Sequence, residues 1–162
     1  MLGVDPGTRI TGWAVVEALG TDVRRIASGA LRLGSLTSLP DRLRRMHAAL
    51  GGWIRDHGVA AVGLEQAFVA RNVQSALRLG ESRGVVLLAA AEAGLPVFEY
   101  SPAAVKHAVV GYGRADKGQM VRGIAMLLSI EPPDGDDEAD ALAVALCHVH
   151  GHRIRTLLDR AR

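Results

Sequence analysis

Residues 2–16 read LGVDPGTRITGWAVV, and this stretch decides the fold. Its apolar beginning is typical of a buried strand, and the sequence Asp5-Pro6-Gly7-Thr8 is a turn signal that ends that strand. Apolar residues return from Thr11 and predict a second strand, and residues 26–33 predict a third. Three consecutive strands joined by short turns predict an antiparallel meander at the start of the chain.

Helices and strands alternate after the meander. Five stretches combine helical apolar spacing with capping residues, glycines or prolines at their ends. These predicted helices cover residues 39–57, 74–93, 102–109, 116–128 and 136–150. Two short apolar runs between them, residues 59–64 and 96–100, are typical of buried strands. A meander followed by this alternation predicts an α/β fold, with a mixed sheet flanked by helices.

The composition excludes several classes of protein. The 162 residues carry 19 Lys and Arg against 17 Asp and Glu, and 49% are hydrophobic, which fits one compact domain and not a disordered chain. The longest wholly apolar run, residues 85–91, is far below the roughly 20 residues of a membrane span. The amino terminus shows no signal-peptide pattern, and the single cysteine, Cys147, excludes an internal disulfide. We therefore expect a soluble, cytoplasmic protein with one domain over residues 1–152 and a basic tail over residues 153–162.

Arginine dominates the basic residues. Of the 19 Lys and Arg residues, 17 are Arg, whose planar guanidinium suits phosphate groups. A bias in the nucleotide composition of the gene explains the same excess equally well. If four of the acids bound cations, the rest of the surface would carry a positive excess and would favour a polyanion near those acids.

Acidic residues follow two of the predicted strands and interrupt the last helix. Asp5 ends the first strand, and Glu65 ends the next buried strand. Carboxyl ends of adjacent strands in an open α/β sheet are where functional sites assemble. Asp140 lies one turn into the last helix, where helix capping does not explain it. Either Asp136 or Asp137 shares its helix face, because spacings of four and three both return to one side.

These acids also have structural interpretations. Asp before Pro6-Gly7 is common at the start of a turn, and acids in the first turn of a helix are favoured by the helix dipole. Glu65 differs, because an unpaired carboxylate at the end of a buried strand is costly and needs a partner or a metal. Several carboxylates without an obvious Cys or His partner suit Mg²⁺ or Mn²⁺. Two such ions stabilise the attacking and leaving oxygens of phosphodiester hydrolysis.

Five segments, in order and at compatible spacing, resemble the RuvC family of bacterial Holliday junction resolvases. They are GVDPGTRITG, LEQAF, SALRLG, PVFEYSP and DEADALA, at residues 3–12, 64–68, 75–80, 96–102 and 137–143. The resemblance implies a ribonuclease H-like fold, a homodimer and an Mg²⁺-dependent endonuclease that makes paired symmetrical nicks in four-way DNA junctions during recombination and DNA repair. It also implies two ions in each active site, with Mn²⁺ as an alternative, and the branch-migration proteins RuvA and RuvB as partners.

The same resemblance assigns site residues by position. The catalytic and metal-binding acids would be Asp5, Glu65, Asp137 and Asp140. Asp137 is chosen over Asp136 by analogy alone.

Candidate DNA-binding residues also come from the resemblance. Phe68 matches the aromatic that the family places at the junction crossover; a core phenylalanine is the alternative, but the residue lies beyond a strand end, where a ring can stack on a base. Lys106 and Lys117 match the family's two functional lysines and are the only lysines in the chain. We add Arg71 and Arg114 as further candidates.

The helix predicted over residues 74–93 carries a small residue at every fourth position. The row is Ala76, Gly80 and Gly84, although glycine inside a helix costs about 1 kcal/mol relative to alanine. This cost suggests a compensating close approach. A two-fold dimer and packing on the chain's own sheet are the two interpretations, and the resemblance favours the dimer. The apolar residues that flank the row are Leu77, Leu87 and Leu88.

Two other functions share parts of this pattern. Asp5-Pro6-Gly7-Thr8 also resembles the phosphate loop of sugar kinases and actin-like ATPases, but 162 residues leave no room for a second lobe. A ribonuclease H-like nuclease acting on structured RNA would use the same acids. Near the carboxyl end, His148, His150 and His152 alternate; a spacing of two does not align them on one helix face, so we expect a solvated tail and not a metal site.

Overall fold

The computed structural model describes residues 1–20, 22–34, 38–66 and 72–160, with side chains as far as residue 151. Within these ranges the chain forms five strands and five helices. The strands are β1 (Leu2–Asp5), β2 (Ile10–Leu19), β3 (Asp22–Arg32), β4 (Val62–Glu65) and β5 (Val97–Tyr100). The helices are α1 (Leu39–Asp56), α2 (Val73–Glu92), α3 (Pro102–Val110), α4 (Lys117–Leu128) and α5 (Asp136–Arg160). None of the described helices is both long and apolar enough to cross a bilayer.

The five strands form one mixed sheet in the order β3-β2-β1-β4-β5. β1, β2 and β3 pair antiparallel, which confirms the predicted meander. β4 pairs parallel with both β1 and β5. The parallel pairs place the carboxyl ends of β1, β4 and β5 at one edge of the sheet.

Helices cover both faces of the sheet. On one face, Met46, Leu50 and Ile54 of α1 and the buried side of α2 enclose apolar residues of the sheet such as Leu2 and Val4. On the other face, α3, α4 and α5 enclose a second apolar cluster built around the buried middle of α5. The observed architecture confirms the predicted mixed sheet flanked by helices.

Two element boundaries differ from the prediction. β4 begins at Val62 and not at residue 59, because the amide of Val59 donates to the carbonyl of Ile54 and closes the end of α1. α5 continues to Arg160, ten residues beyond residue 150. The extension contains no proline, and its single glycine, Gly151, costs a helix only about 1 kcal/mol. Residue 152 therefore lies inside α5, and the basic tail remains a prediction because its side chains lie outside the described residues.

Glycines in the sheet allow α5 to lie unusually close to it. A Cβ atom at Gly12 would lie 1.8 Å from the carbonyl oxygen of Asp137, and one at Gly3 would lie 2.3 Å from that of Ala141. No side chain fits in this space. The first turns of α5 therefore rest directly on the backbone of β1 and β2, beside the end of β1.

Candidate active site

Sheet pairing and helix packing bring four acidic residues to one edge of the molecule. Asp5 and Glu65 end the parallel neighbours β1 and β4, in which Val4 lies opposite Leu64. Asp5 also lies opposite Gly12 on β2, and the backbone of Gly12 contacts that of Asp137. The sheet therefore places two carboxylates side by side, and α5 brings its first turn next to them.

The carboxylate of Asp5 is influenced by all three of the other acids. Its pKa is raised to about 7, first by the loss of water around the buried group and then by repulsion from Asp140, Asp137 and Glu65, in that order. The ammonium of Lys117 opposes this rise. Asp5 is therefore about half protonated near neutral pH, because the nearby positive charge is too weak to keep its carboxylate fully ionised.

Glu65 and Asp140 show the same behaviour. Partial burial raises the pKa of Glu65, repulsion from Asp140 raises it further, and Lys106 opposes the rise. The pKa of Asp140 is also raised, and the main cause is the loss of water around its carboxyl group, although the residue as a whole is exposed. Lys117 lowers this pKa, whereas Asp136 and Asp137 raise it. Asp5, Glu65 and Asp140 therefore form a group of carboxylates that resists full ionisation.

This donor set suits a hard divalent cation. All four side chains offer oxygen atoms, the ligands that Mg²⁺ and Mn²⁺ prefer, and a bound cation would stabilise the ionised forms that repulsion now disfavours. Within the described part of the chain, no three His, Cys, Asp or Glu side chains are gathered closely enough to enclose a cation in this arrangement. A cation between the carboxylates would offset their mutual repulsion.

Asp136 and Asp137 have different surroundings. Asp136 forms an ion pair with Lys117, and this contact is the main cause of the raised pKa of Lys117. Asp137 instead repels the carboxylate of Asp5, and Asp136 is not among the groups that shift the pKa of Asp5. Asp137 therefore acts on Asp5, whereas Asp136 pairs with Lys117, raises the pKa of Asp140 and lines a cavity with Glu65 and Asp140. Both acids lie close to the site, and the choice of Asp137 stays a prediction.

Both lysines lie beside the acids. Lys106 on α3 and Lys117 at the start of α4 line a cavity of about 210 Å³ together with Glu65 and Asp140. The start of α4 is fixed by a capping box in which the Asp116 side chain accepts from the amide of Gln119 and the Gln119 side chain accepts from the amide of Asp116. The cavity thus combines negative groups with two cations at its rim.

The remaining predicted DNA-binding residues are Phe68, Arg71 and Arg114. Arg114 lies in the exposed loop between α3 and α4 and does not line it. Phe68 and Arg71 lie outside the described residues.

Sequence reasoning missed two residues of α2 that hold the strand ends. Arg83 donates through Nη1 to the carbonyl oxygen of Glu65 at 2.6 Å and through Nη2 to Oε1 of Glu99 at 2.7 Å. The hydroxyl of Ser82, which is fully buried, donates to the carbonyl oxygen of Pro6 at 3.2 Å. The sequence contained a signal for Ser82. This residue lies on the same helix face as the buried Val86, and a polar side chain on a buried face needs a specific hydrogen-bond partner.

The expectation of a solvated histidine tail is wrong for His148 and His150. His148 is buried, its Nδ1 lies 2.7 Å from the hydroxyl of Tyr100, and its ring packs on Phe98. Nδ1 of His150 lies 3.0 Å from the carbonyl oxygen of Ala108 on α3. α5 is therefore still packed against the rest of the fold at these two residues. Because His148 and His150 are two positions apart on the helix, their rings contact different elements, β5 and α3. The side chain of His152 lies outside the described residues.

Comparison with known proteins gives a consistent result. A family model described as crossover junction endodeoxyribonuclease RuvC matches residues 1–148. The crossover junction endodeoxyribonuclease RuvC of Alkalilimnicola ehrlichii is 47% identical over 161 residues, which is 99% of this chain and 97% of that protein. The protein of the same name from Magnetococcus marinus is 43% identical over 93% of this chain and 83% of its own length.

Solved structures agree with these matches. The structure of T. thermophilus RuvC in complex with Holliday junction substrate superposes with a TM-score of 0.91 at 33% identity, covering 96% of this chain and 95% of that chain. The yeast mitochondrial Holliday junction resolvase Ydc2 superposes with a TM-score of 0.64 at 15% identity, covering 90% of this chain and 75% of that chain, and shows similarity of fold alone.

Proposed function

The chain belongs to the RuvC family of crossover junction endodeoxyribonucleases, and on this basis we propose that its four carboxylates cut four-way DNA junctions by metal-dependent hydrolysis of phosphodiester bonds. The protein is an endodeoxyribonuclease that acts on Holliday junctions in recombination and repair. One observation carries the assignment of the site: Asp5 and Glu65 end the paired strands β1 and β4, and the start of α5, with Asp137 and Asp140, rests on the backbone of Gly12 opposite Asp5. Acids from three separate elements therefore act on one point at the sheet edge.

Asp5, Glu65, Asp137 and Asp140 would hold two Mg²⁺ ions, with Mn²⁺ as the alternative. Bound divalent cations supply an activated water and stabilise the charge of the transition state. The protein supplies orientation, because the carboxylates are fixed by strand ends and by a helix that rests on sheet backbone. The raised pKa values of Asp5, Glu65 and Asp140 mean that cation binding displaces protons from the site.

Lys106 and Lys117 would hold the phosphate backbone beside the acids. A compact ammonium serves as a point-charge partner for phosphate. Both lysines reduce the repulsion within the acidic group, since Lys106 lowers the pKa of Glu65 and Lys117 lowers that of Asp5. Phe68, Arg71 and Arg114 remain proposed DNA contacts by resemblance.

We also propose a homodimer formed through α2. A Cβ atom added at Gly80 or Gly84 would meet no described atom within 4 Å, so these glycines do not serve packing on the chain's own sheet. The exposed residues beside them include Leu77 at 58% and Leu88 at 53% exposure. A two-fold interface here would bury this apolar surface and provide two active sites for two strands. Cooperation with the branch-migration proteins RuvA and RuvB and a location in the cytoplasm remain proposals of the same kind.

The decisive experiment uses a synthetic mobile four-way junction, purified protein and Mg²⁺. The expected result is a pair of nicks in strands of like polarity, while linear duplex DNA survives. Structured RNA and ATP serve as further arms: preferential cutting of RNA, or thermal stabilisation by ATP in place of junction cutting, would overturn the proposal.

A further inference from the structure

A second cationic surface, separate from the lysines, begins two residues after Asp5. A groove of about 510 Å³ is lined by residues of the β1–β2 turn, of α1 and of the first turns of α2. We call it the arginine groove. Its lining residues are Gly7, Thr8, Arg9, Arg42, Gln74, Ser75, Arg78, Leu79 and Ser82.

The arginine groove concentrates positive charge in a chain that is nearly neutral. Each of its three wall elements contributes one arginine: Arg9 from the turn, Arg42 from α1 and Arg78 from α2. Among the described residues that line it, none is acidic, whereas the whole chain has a formal net charge of only +2. Arg78 also pairs with Glu81 at 3.0 Å, but about half of its side chain remains exposed. This asymmetry favours an anionic ligand.

Uncharged donors complete the lining. Thr8 and Ser75 offer hydroxyl groups and Gln74 offers an amide, and such groups commonly contact phosphate oxygens in complexes with nucleic acids. Gln74 and Ser75 also lie in the first turn of α2, where the helix dipole favours negative charge. Planar guanidinium groups bind phosphate with two parallel hydrogen bonds. The chemistry of the groove is therefore that of phosphate recognition.

The position of the groove identifies the source of the phosphate. Gly7, at its edge, follows Asp5 by two residues, and Ser82 at its base donates to the carbonyl of Pro6 between them. Lys106 and Lys117 line the cavity with Glu65 and Asp140. The acidic site thus adjoins the arginine groove at Asp5 and the lysines at Glu65 and Asp140, and a polyanion long enough to pass through the active site would contact both cationic surfaces.

We propose that the arginine groove binds consecutive backbone phosphates of the DNA strand that enters the active site. The inference rests on the proposed function, since it assigns to the same substrate a contact surface outside the carboxylate site. Binding to phosphates carries no base specificity, so the groove fixes the position of the strand and not the sequence that is cut.

The test replaces Arg9, Arg42 and Arg78 by Gln, singly and together, and measures equilibrium binding of a junction and of a linear duplex without divalent cation over a range of salt concentrations. Each lost phosphate contact should reduce the slope of log K against log salt by about 0.7–0.9, and the triple variant by about 2 to 2.7. Arg→Lys variants at the same positions should recover most of the slope because they keep the charge. Arg44→Gln is the matched control, because Arg44 is an exposed arginine of α1 that does not line the groove.

Each outcome decides one claim. If the unmodified protein cuts junctions and the triple variant keeps the affinity and slope of Arg44→Gln, the groove proposal is overturned and the proposed function stands. If the triple variant loses affinity and slope but the unmodified protein cuts no junction, the groove is supported and the proposed function fails. A competition arm with inorganic phosphate and deoxynucleoside monophosphates separates the source of the anion: full competition at micromolar concentration would assign the groove to a small anion and overturn the proposal. Circular dichroism melting curves confirm that each variant is folded.

Discussion

Arg83 donates a hydrogen bond of 2.6 Å to the main-chain carbonyl oxygen of Glu65, and only 13% of its side chain is exposed. The bond joins α2 to the end of the strand that presents a proposed catalytic carboxylate. Since α2 also carries the proposed dimer surface, the same helix would connect a partner subunit to this acid. Arg83 is therefore a positioning residue.

Arg83→Met should slow cutting at saturating junction concentration by more than it weakens junction binding. The substitution leaves the Glu65 carbonyl without this donor, and loss of such a bond costs about 1–3 kcal/mol. Single-turnover rates, binding constants and urea midpoints measure the three quantities. Arg83→Lys should recover part of the rate, and Glu99→Gln should be milder because the bond to Glu65 remains. An Arg83→Met protein that cuts at the normal rate at equal folded fraction would refute a positioning role.

Asp5→Asn, Glu65→Gln and Asp140→Asn should each abolish cutting and leave junction binding intact or tighter. Each change removes charge needed to hold cations and also reduces the repulsion of phosphate. Asp137→Asn should be no milder than Asp136→Asn, because Asp136 pairs with Lys117 whereas Asp137 acts on Asp5. Gel-shift and nicking assays on the same preparations test this. Joint loss of binding and folding would make these acids structural.

Without divalent cations, the protein should become less stable as pH rises from about 4 to 7. The pKa of Asp5 is raised to about 7 by folding, so in this range the folded state binds more protons than the unfolded state, and stability falls with pH. Asp5→Asn should remove part of this fall and be relatively more stable at pH 8 than at pH 5. Mg²⁺ should stabilise the unmodified protein more at pH 8. Melting curves in chelator and in Mg²⁺ measure both effects, and a flat dependence on pH would contradict the prediction.

Gly12→Ala should reduce cutting sharply by displacing the start of α5. The added Cβ would lie 1.8 Å from the carbonyl oxygen of Asp137, so backbone must move and the acids must separate. Gly52→Ala is the control, because a Cβ there meets nothing within 4 Å among the described atoms, and alanine favours a helix by about 1 kcal/mol. Gly12→Ala should lower both the cutting rate and the thermal midpoint. Gly52→Ala should raise the thermal midpoint and leave the cutting rate unchanged. Equal activity of the two variants would show that the contact does not position the acids.

Replacing Gly80 and Gly84 together by Leu should produce a monomer that nicks junctions rarely or in one strand only. Bulky side chains at these positions would separate two α2 helices without touching the described core of either subunit. Sedimentation and a cruciform plasmid that distinguishes single from paired nicks provide the measurements. If the unmodified protein is monomeric at micromolar concentration with junction DNA present, the dimer proposal fails.

Sequence patterns predict the sheet and the strand-end acids because these depend on local periodicity and turns. Asp5 and Glu65 follow apolar runs, so their positions at strand ends could be predicted without reference to distant residues. Spacing could not choose between Asp136 and Asp137, nor could it predict the ion pair between Asp136 and Lys117, which lie on different helices. No spacing rule reveals such a pair. The partners of His148 were missed for the same reason, since Tyr100 and Phe98 lie on another element.

The close packing of α5 on the glycines of the sheet also links the order of folding to the assembly of the site. Asp137 and Asp140 lie on α5, far in sequence from Asp5. Their placement requires paired β1 and β2, with Gly3 and Gly12 under the helix, and contacts between segments that are distant in sequence are slow to form. A chain in which α5 has not yet packed on the sheet therefore lacks two of the four proposed catalytic acids at the site.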